Sequence, residues 1–159
     1  MELSTETTTV AQPGWRLACF RHQSSLPYSK KKILFSAAER SLYEILRCIT
    51  PDHTIFAKVR LSDVISVSNR GKTGQANYNQ IQSKHLNFLI CDATLAPVVA
   101  IELNDPSPTQ TERNCEEFVD AALEAAAVPI LRIPIKPSYA INEIRRLIFP
   151  HLHGPGPLC

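Results

Sequence analysis

Apolar residues gather in two neighbouring runs, and each run carries polar residues where a strand interior is expected. The first reads His85-Leu86-Asn87-Phe88-Leu89-Ile90-Cys91-Asp92; the second reads Val98-Val99-Ala100-Ile101-Glu102-Leu103-Asn104-Asp105. Their length and bounding turn residues predict two buried β-strands, and the link 93–97 is short enough for a hairpin. A carboxylate or amide in a strand core is costly unless a partner compensates for it. Two such strands side by side are expected to bring Asn87, Glu102 and Asn104 together.

The rest of the pattern fills in an order of elements. Ser36-Ala37-Ala38-Glu39 fits a capping box, and Leu42, Ile45, Leu46 and Ile49 repeat with helical spacing up to the break at Pro51. From Thr54 to Ile65 the alternation predicts a strand, with Ile55, Ala57, Val59 and Leu61 on one face and Phe56, Lys58 and Arg60 on the other. The stretch 66–83, rich in Ser, Asn, Gly and Gln, reads as a long loop, functional or mobile. Residues 111–127 predict a helix with Phe118, Ala121, Ala122 and Ala125 on its inner side, 129–135 a buried strand, and Asn142 the cap of a last helix through Phe149. The order is α-β-β-β-α-β-α. Short links make the middle strands antiparallel, and the helical crossover makes the last strand parallel to its partner. An α/β class follows, with a mixed central sheet and helices on both faces. Residues 1–33 read as a flexible arm and 151–159 as a disordered tail.

Composition changes this picture little. Of 159 residues, 44% are hydrophobic and 20% charged, which suits one soluble domain, and a net charge of +2 argues for no particular partner. The placement of charge says more. No acid occurs between Glu6 and Glu39, where Arg16, Arg21, Lys30, Lys31 and Lys32 stand, nor from Val64 to Cys91, which carries Arg70, Lys72 and Lys84. Either stretch serves as a solvated basic surface or as a phosphate-contacting one. Five widely spaced cysteines with no CxxC predict reduced thiols in a cytoplasmic protein. The start of the chain lacks the apolar core of a signal peptide, and no run is long enough for a membrane span, so no membrane contact is expected. The apolar patch Trp15-Arg16-Leu17-Ala18-Cys19-Phe20 on the arm could dock on the body or on a protein partner.

Five segments in this order carry a resemblance. They are Ser36-Ala37-Ala38-Glu39-Arg40-Ser41-Leu42-Tyr43, Phe56-Ala57-Lys58-Val59-Arg60-Leu61-Ser62-Asp63, Ile81-Gln82-Ser83-Lys84-His85-Leu86-Asn87-Phe88, Ile101-Glu102-Leu103-Asn104-Asp105 and Leu131-Arg132-Ile133-Pro134. Over residues 34–150 the chain resembles the PD-(D/E)XK nuclease superfamily. It is most similar there to a bacterial family of uncharacterised domains related to the very-short-patch-repair endonucleases. The resemblance implies a restriction-endonuclease-like core, α-β-β-β-α-β(-α), acting on DNA more readily than on RNA. It implies Mg²⁺ held at Glu102, Asn87 and Asp105, with Asn104, Lys58 and Glu39 completing the catalytic set. Arg70, Lys72, Lys84, His85 and Arg132 would meet nucleic acid.

The chain departs from that pattern where the chemistry is done. Asn87 stands where the first metal-binding Asp is usual, Asn104 stands at the last position of the E-x-K or E-x-D motif, and a usual histidine falls near Pro108. An amide oxygen brings no charge to Mg²⁺, so any metal would be held weakly. Each residue also has a structural reading. Glu102 could pair with Lys58 or Arg132 across the sheet, Asn87 could be a satisfied core amide, and Glu39 could serve its capping box first. Lys58 could be solvated and His85 structural, while Asp92 suits the start of a turn. Three functions compete: a nucleic-acid-binding domain with a degenerate metal site, an active Mg²⁺-dependent phosphodiesterase, and a protein-interaction module built on a dead nuclease fold.

Overall fold

Ser36 starts the first helix by accepting a hydrogen bond from the Glu39 N–H while the Glu39 carboxylate accepts one from the Ser36 N–H, the reciprocal pair of a capping box. The computed structural model describes residues 26–69 and 71–152. The elements run α1 (Ala37–Ile49), β1 (Thr54–Arg60), α2 (Leu61–Val64), α3 (Gly71–Gln82), β2 (His85–Cys91), β3 (Pro97–Asn104), α4 (Gln110–Ala125), β4 (Ile130–Pro134) and α5 (Ile141–Leu152). All of them belong to one compact unit that begins at Ile33. Leu26 to Lys32 belong to a separate unit and form no helix or strand. The Trp15 patch, Arg70 and the tail beyond Leu152 lie outside the described residues.

The four strands form one mixed sheet in the order β1-β2-β3-β4. The first two pairings are antiparallel, and the α4 crossover brings β4 parallel to β3. Asp92 ties the β2–β3 turn, its carboxylate accepting from the N–H groups of Thr94 and Ala96. These hydrogen bonds, the Thr94 hydroxyl's foremost, hold its carboxyl below the usual aspartate value.

Helices cover both faces. On one, Leu42, Leu46 and Ile49 of α1 and Ile144 and Ile148 of α5 bury Phe88, Ile90, Val99 and Ile101. On the other, Val119 and Leu123 of α4, with Leu61 and Ile81, bury Leu86, Leu89 and Ala100. Phe88 anchors the first face, its ring 5.7 Å from Phe35 and 6.0 Å from Tyr43.

Five expectations need correcting. The stretch 66–83 is not all loop, because α3 fills most of it. Its weak apolar content hides it from periodicity, since Gly74 and Ile81 are its only buried residues. Gly74 is required there: the Asn69 carbonyl packs so closely that a side chain would collide with it. The strand from Thr54 stops at Arg60, and 61–64 turn into α2. Its faces also switch. Lys58 has φ 55°, in the left-handed region, so Ala57 packs with α1 and α5 whereas Val59 packs with the opposite cluster. In α4 Phe118 and Ala122 pack on the core as expected beside the buried Val119 and Leu123, but Ala121 and Ala125 are exposed, and a Thr109–Glu112 capping box sets its start. Lastly, α5 runs on through Pro150 to Leu152, past the expected end at Phe149.

Candidate functional site

The polar residues of β2 and β3 divide between two clusters on opposite faces of the sheet. On the α1 side, Glu39 is 9% exposed, and its Oε1 lies 2.6 Å from the Lys58 Nζ. The left-handed turn at Lys58 lets its side chain reach α1. Asn87 Nδ2 donates to the same Glu39 Oε1 at 3.2 Å, and Asn87 Oδ1 accepts from the Leu103 N–H at 2.9 Å. Burial pushes the Glu39 carboxyl up, but the bonds from Lys58 and Ser36 outweigh it and hold the group below the usual glutamate value. Glu39 thus serves its capping box and an ion pair at once.

On the α4 side, Glu102 and Asn104 share a strand face. Register places Glu102 beside Arg132 of β4. The guanidinium, however, is committed elsewhere. Its Nε and Nη2 grip both oxygens of Asp120, with Nη2–Oδ1 at 2.6 Å; Nη1 donates to Asn104 Oδ1 at 3.0 Å, and Nη2 also donates to the Glu116 carbonyl. Arg132 acts on Glu102 through space. Burial raises the Glu102 pKa to about 7; Arg132 and the Asn87 backbone N–H pull it down, while Glu116 and Asp120 push it up.

The expected convergence of Asn87, Glu102 and Asn104 is therefore only partial. Glu102 and Asn104 stand together, and Asn87 contributes its backbone N–H to Glu102 while its side chain turns to Glu39 and Leu103. Lys58 pairs with Glu39 instead of Glu102, and its side chain stays 40% exposed, so the solvated reading holds in part. Asp105 is exposed just past β3 and holds the Ser107 N–H.

Mg²⁺ wants hard oxygen ligands, usually one or two carboxylates with water. Here the Asn87 and Asn104 amide oxygens already accept internal hydrogen bonds, and the carboxylates near Glu102, those of Glu116 and Asp120, lie around Arg132. Among the described residues no three His, Cys, Asp or Glu side chains gather into a metal-binding group.

The residues expected to meet nucleic acid are dispersed. Lys72 is exposed in the first turn of α3, and His85 is exposed at the start of β2. Lys84 Nζ lies 3.0 Å from the Cys115 Sγ, in a cleft between the end of α3 and α4. Arg132 donates to Asp120, to the Asn104 side chain and to the Glu116 carbonyl, with its side chain 23% exposed. Sequence reasoning missed Glu116 and Asp120. Their signal was present: two acids four residues apart on one helix face, following the strand that carries Glu102.

Asn87→Asp tests the first cluster. Asp cannot donate to Glu39, and a second carboxylate would stand against it with Lys58 alone to offset both. The expected loss is about 2 kcal/mol of stability at pH 7. That loss should shrink as pH falls and the paired carboxyls take up a proton. Urea unfolding at pH 7 and pH 5 checks it; an equal loss at both values would mean the charge is not its source.

The sequence pattern of the family described as Protein of unknown function (DUF2726) matches residues 31–151. No curated protein and no solved structure matches the chain.

Proposed function

The chain belongs to the DUF2726 family, and from its own residues we propose that residues 34–150 are a nuclease-like, DNA-binding domain with a degenerate metal site. The observation that carries the reading is the acid-free segment from Val64 to Cys91. It folds into the exposed helix α3 and the whole of β2, and its exposed part offers phosphates cations and amides with no carboxylate of its own to repel them. The element order, with its mixed sheet, supports the resemblance to PD-(D/E)XK nucleases. Loss of cleavage rests on Asn87 and Asn104, whose oxygens are taken internally, and on Glu102, where burial raises the carboxyl pKa to about 7 and so disfavours the charged form. A magnesium ion held through Glu102 alone would be bound weakly. No helix among the described residues is long and apolar enough to cross a membrane. The free thiols of Cys48, Cys91 and Cys115 suit the cytoplasm.

Fluorescence anisotropy with a labelled duplex across a salt series tests the reading. The association constant should fall with salt, with a log–log slope of about 2 to 4 in magnitude for a few phosphate contacts. Lys72→Ala should lower that slope by roughly 1. Supercoiled plasmid incubated with Mg²⁺ or Mn²⁺ should stay intact. Nicking that Glu102→Ala abolishes would select the active phosphodiesterase instead. No salt-dependent binding to any nucleic acid would leave the protein-interaction module.

A further inference from the structure

We propose that α3 reads duplex DNA from the major groove, with Gln75, Asn79 and Gln82 contacting adenine edges. The proposal deepens the DNA-binding reading above and rests on it.

The helix is lightly anchored, since only Gly74 and Ile81 are buried. Lys72, Gln75, Tyr78, Asn79 and Gln82 are exposed and fall within about a third of the helix circumference, away from both anchors. Three of the five are amides, and they are organised. Asn79 Oδ1 accepts from Gln75 Nε2 at 2.8 Å and from Gln82 Nε2 at 3.1 Å. This ladder orders three long side chains before any ligand arrives, which lowers the entropy lost on binding. Among the described residues, the Asn79 amino group and both glutamine carbonyl oxygens have no protein partner, so the stripe presents alternating acceptors and donors to solvent.

Chemistry selects the occupant. A side-chain amide pairs with the N6 amino donor and N7 acceptor that adenine shows in the major groove, which is wide enough to admit an α-helix. A solvated surface helix is usually laced with Glu–Lys pairs; α3 has no acid at all. Lys72, in its first turn, offers a cation to a flanking phosphate, and the exposed His85 stands just beyond its last turn. Tyr78, 45% exposed, supplies an apolar edge on the border of the same surface.

The test is selection by the full chain from a pool of randomised duplexes, followed by anisotropy on the enriched and an unselected duplex. The wild type should enrich an adenine-containing motif. Gln75→Ala with Asn79→Ala should cut the preference for that motif roughly tenfold to a hundredfold, and should cost the motif far more affinity than the unselected duplex. Methylating N6 of the motif's adenines should weaken wild-type binding by a similar factor, and this arm does not depend on a variant folding. Binding without enrichment, or enrichment that survives both the double variant and N6 methylation, overturns the proposal and leaves the DNA-binding reading standing. Preference for single-stranded RNA over duplex overturns it as well. Absence of salt-dependent binding to any nucleic acid defeats both.

Discussion

Arg132→Met should lower the free energy of unfolding by about 3 kcal/mol and leave the DNA affinity of the folded protein unchanged. One cation faces three carboxylates here: Asp120 in a two-pronged grip, Glu116 at 4.0 Å, and Glu102 through space. Methionine fills much of the same volume but leaves Asp120, the Asn104 oxygen and the Glu116 carbonyl without their donor. Breaking a fully buried pair costs more, about 3–5 kcal/mol. Two features hold this loss near the bottom of that range. The Asp120 side chain is 44% exposed and can turn to water, and Glu102 can take up a proton once Arg132 no longer opposes it. Arg132→Lys keeps the charge and loses the fork, so a loss of roughly 1–2 kcal/mol is expected. Urea midpoints at constant slope measure both. Should Arg132→Met leave stability within about 0.5 kcal/mol and abolish DNA binding instead, the guanidinium would be a phosphate ligand after all.

The sequence made the layers of this fold legible and hid the connections. Ser36–Glu39, the stripe through Leu42, Leu46 and Ile49, and the apolar runs around Phe88 and Ile101 are strong local signals, and tertiary packing agrees with them. The direction of β3 followed from its short link to β2 and that of β4 from the helical crossover, whereas β1 and β2 are antiparallel across 61–84, a long link that holds α2 and α3. By contrast α3 buries almost nothing, so its pattern carries no hydrophobic period, and its helical content rests on Gln, Ala and Lys with two glycines against it. Lys58 was placed on the wrong face because alternation assumes uniform strand geometry, and one left-handed residue in β1 breaks that assumption. The candidate site suffered likewise. Adjacency of Asn87 and Glu102 was readable from the two strands, but the choice of face for the Asn87 side chain depends on Glu39, nearly fifty positions earlier in the chain.

Glu102→Gln should stabilise the protein, and the gain should depend on pH. Burial raises the folded pKa from the ordinary 4.5 to about 7, partly offset by Arg132 and the Asn87 N–H. The folded chain therefore holds this proton more tightly than the unfolded chain does. The contribution is fully present below about pH 4.5, is lost as pH rises towards 7, and stays lost above it. At 1.36 kcal/mol per pKa unit, the loss across that window is about 3 kcal/mol. Glutamine keeps an oxygen to accept the Asn87 N–H and is neutral at every pH, so it avoids the cost of ionising in place. Wild type and variant should match near pH 4.5 and diverge to about 3 kcal/mol in the variant's favour by pH 8. Glu39 and Asp92, whose pKa values are lowered, contribute stability that is in place above their ordinary values of 4.5 and 3.8 and is lost below them, equally in both proteins. The difference between the two proteins, measured by urea unfolding from pH 4.5 to 8, isolates Glu102. Parallel curves over that range would mean that Glu102 ionises freely in the folded state. The β3 carboxylate would then carry a full negative charge at neutral pH, and the case for a silent metal site would rest on Asn87 and Asn104 alone.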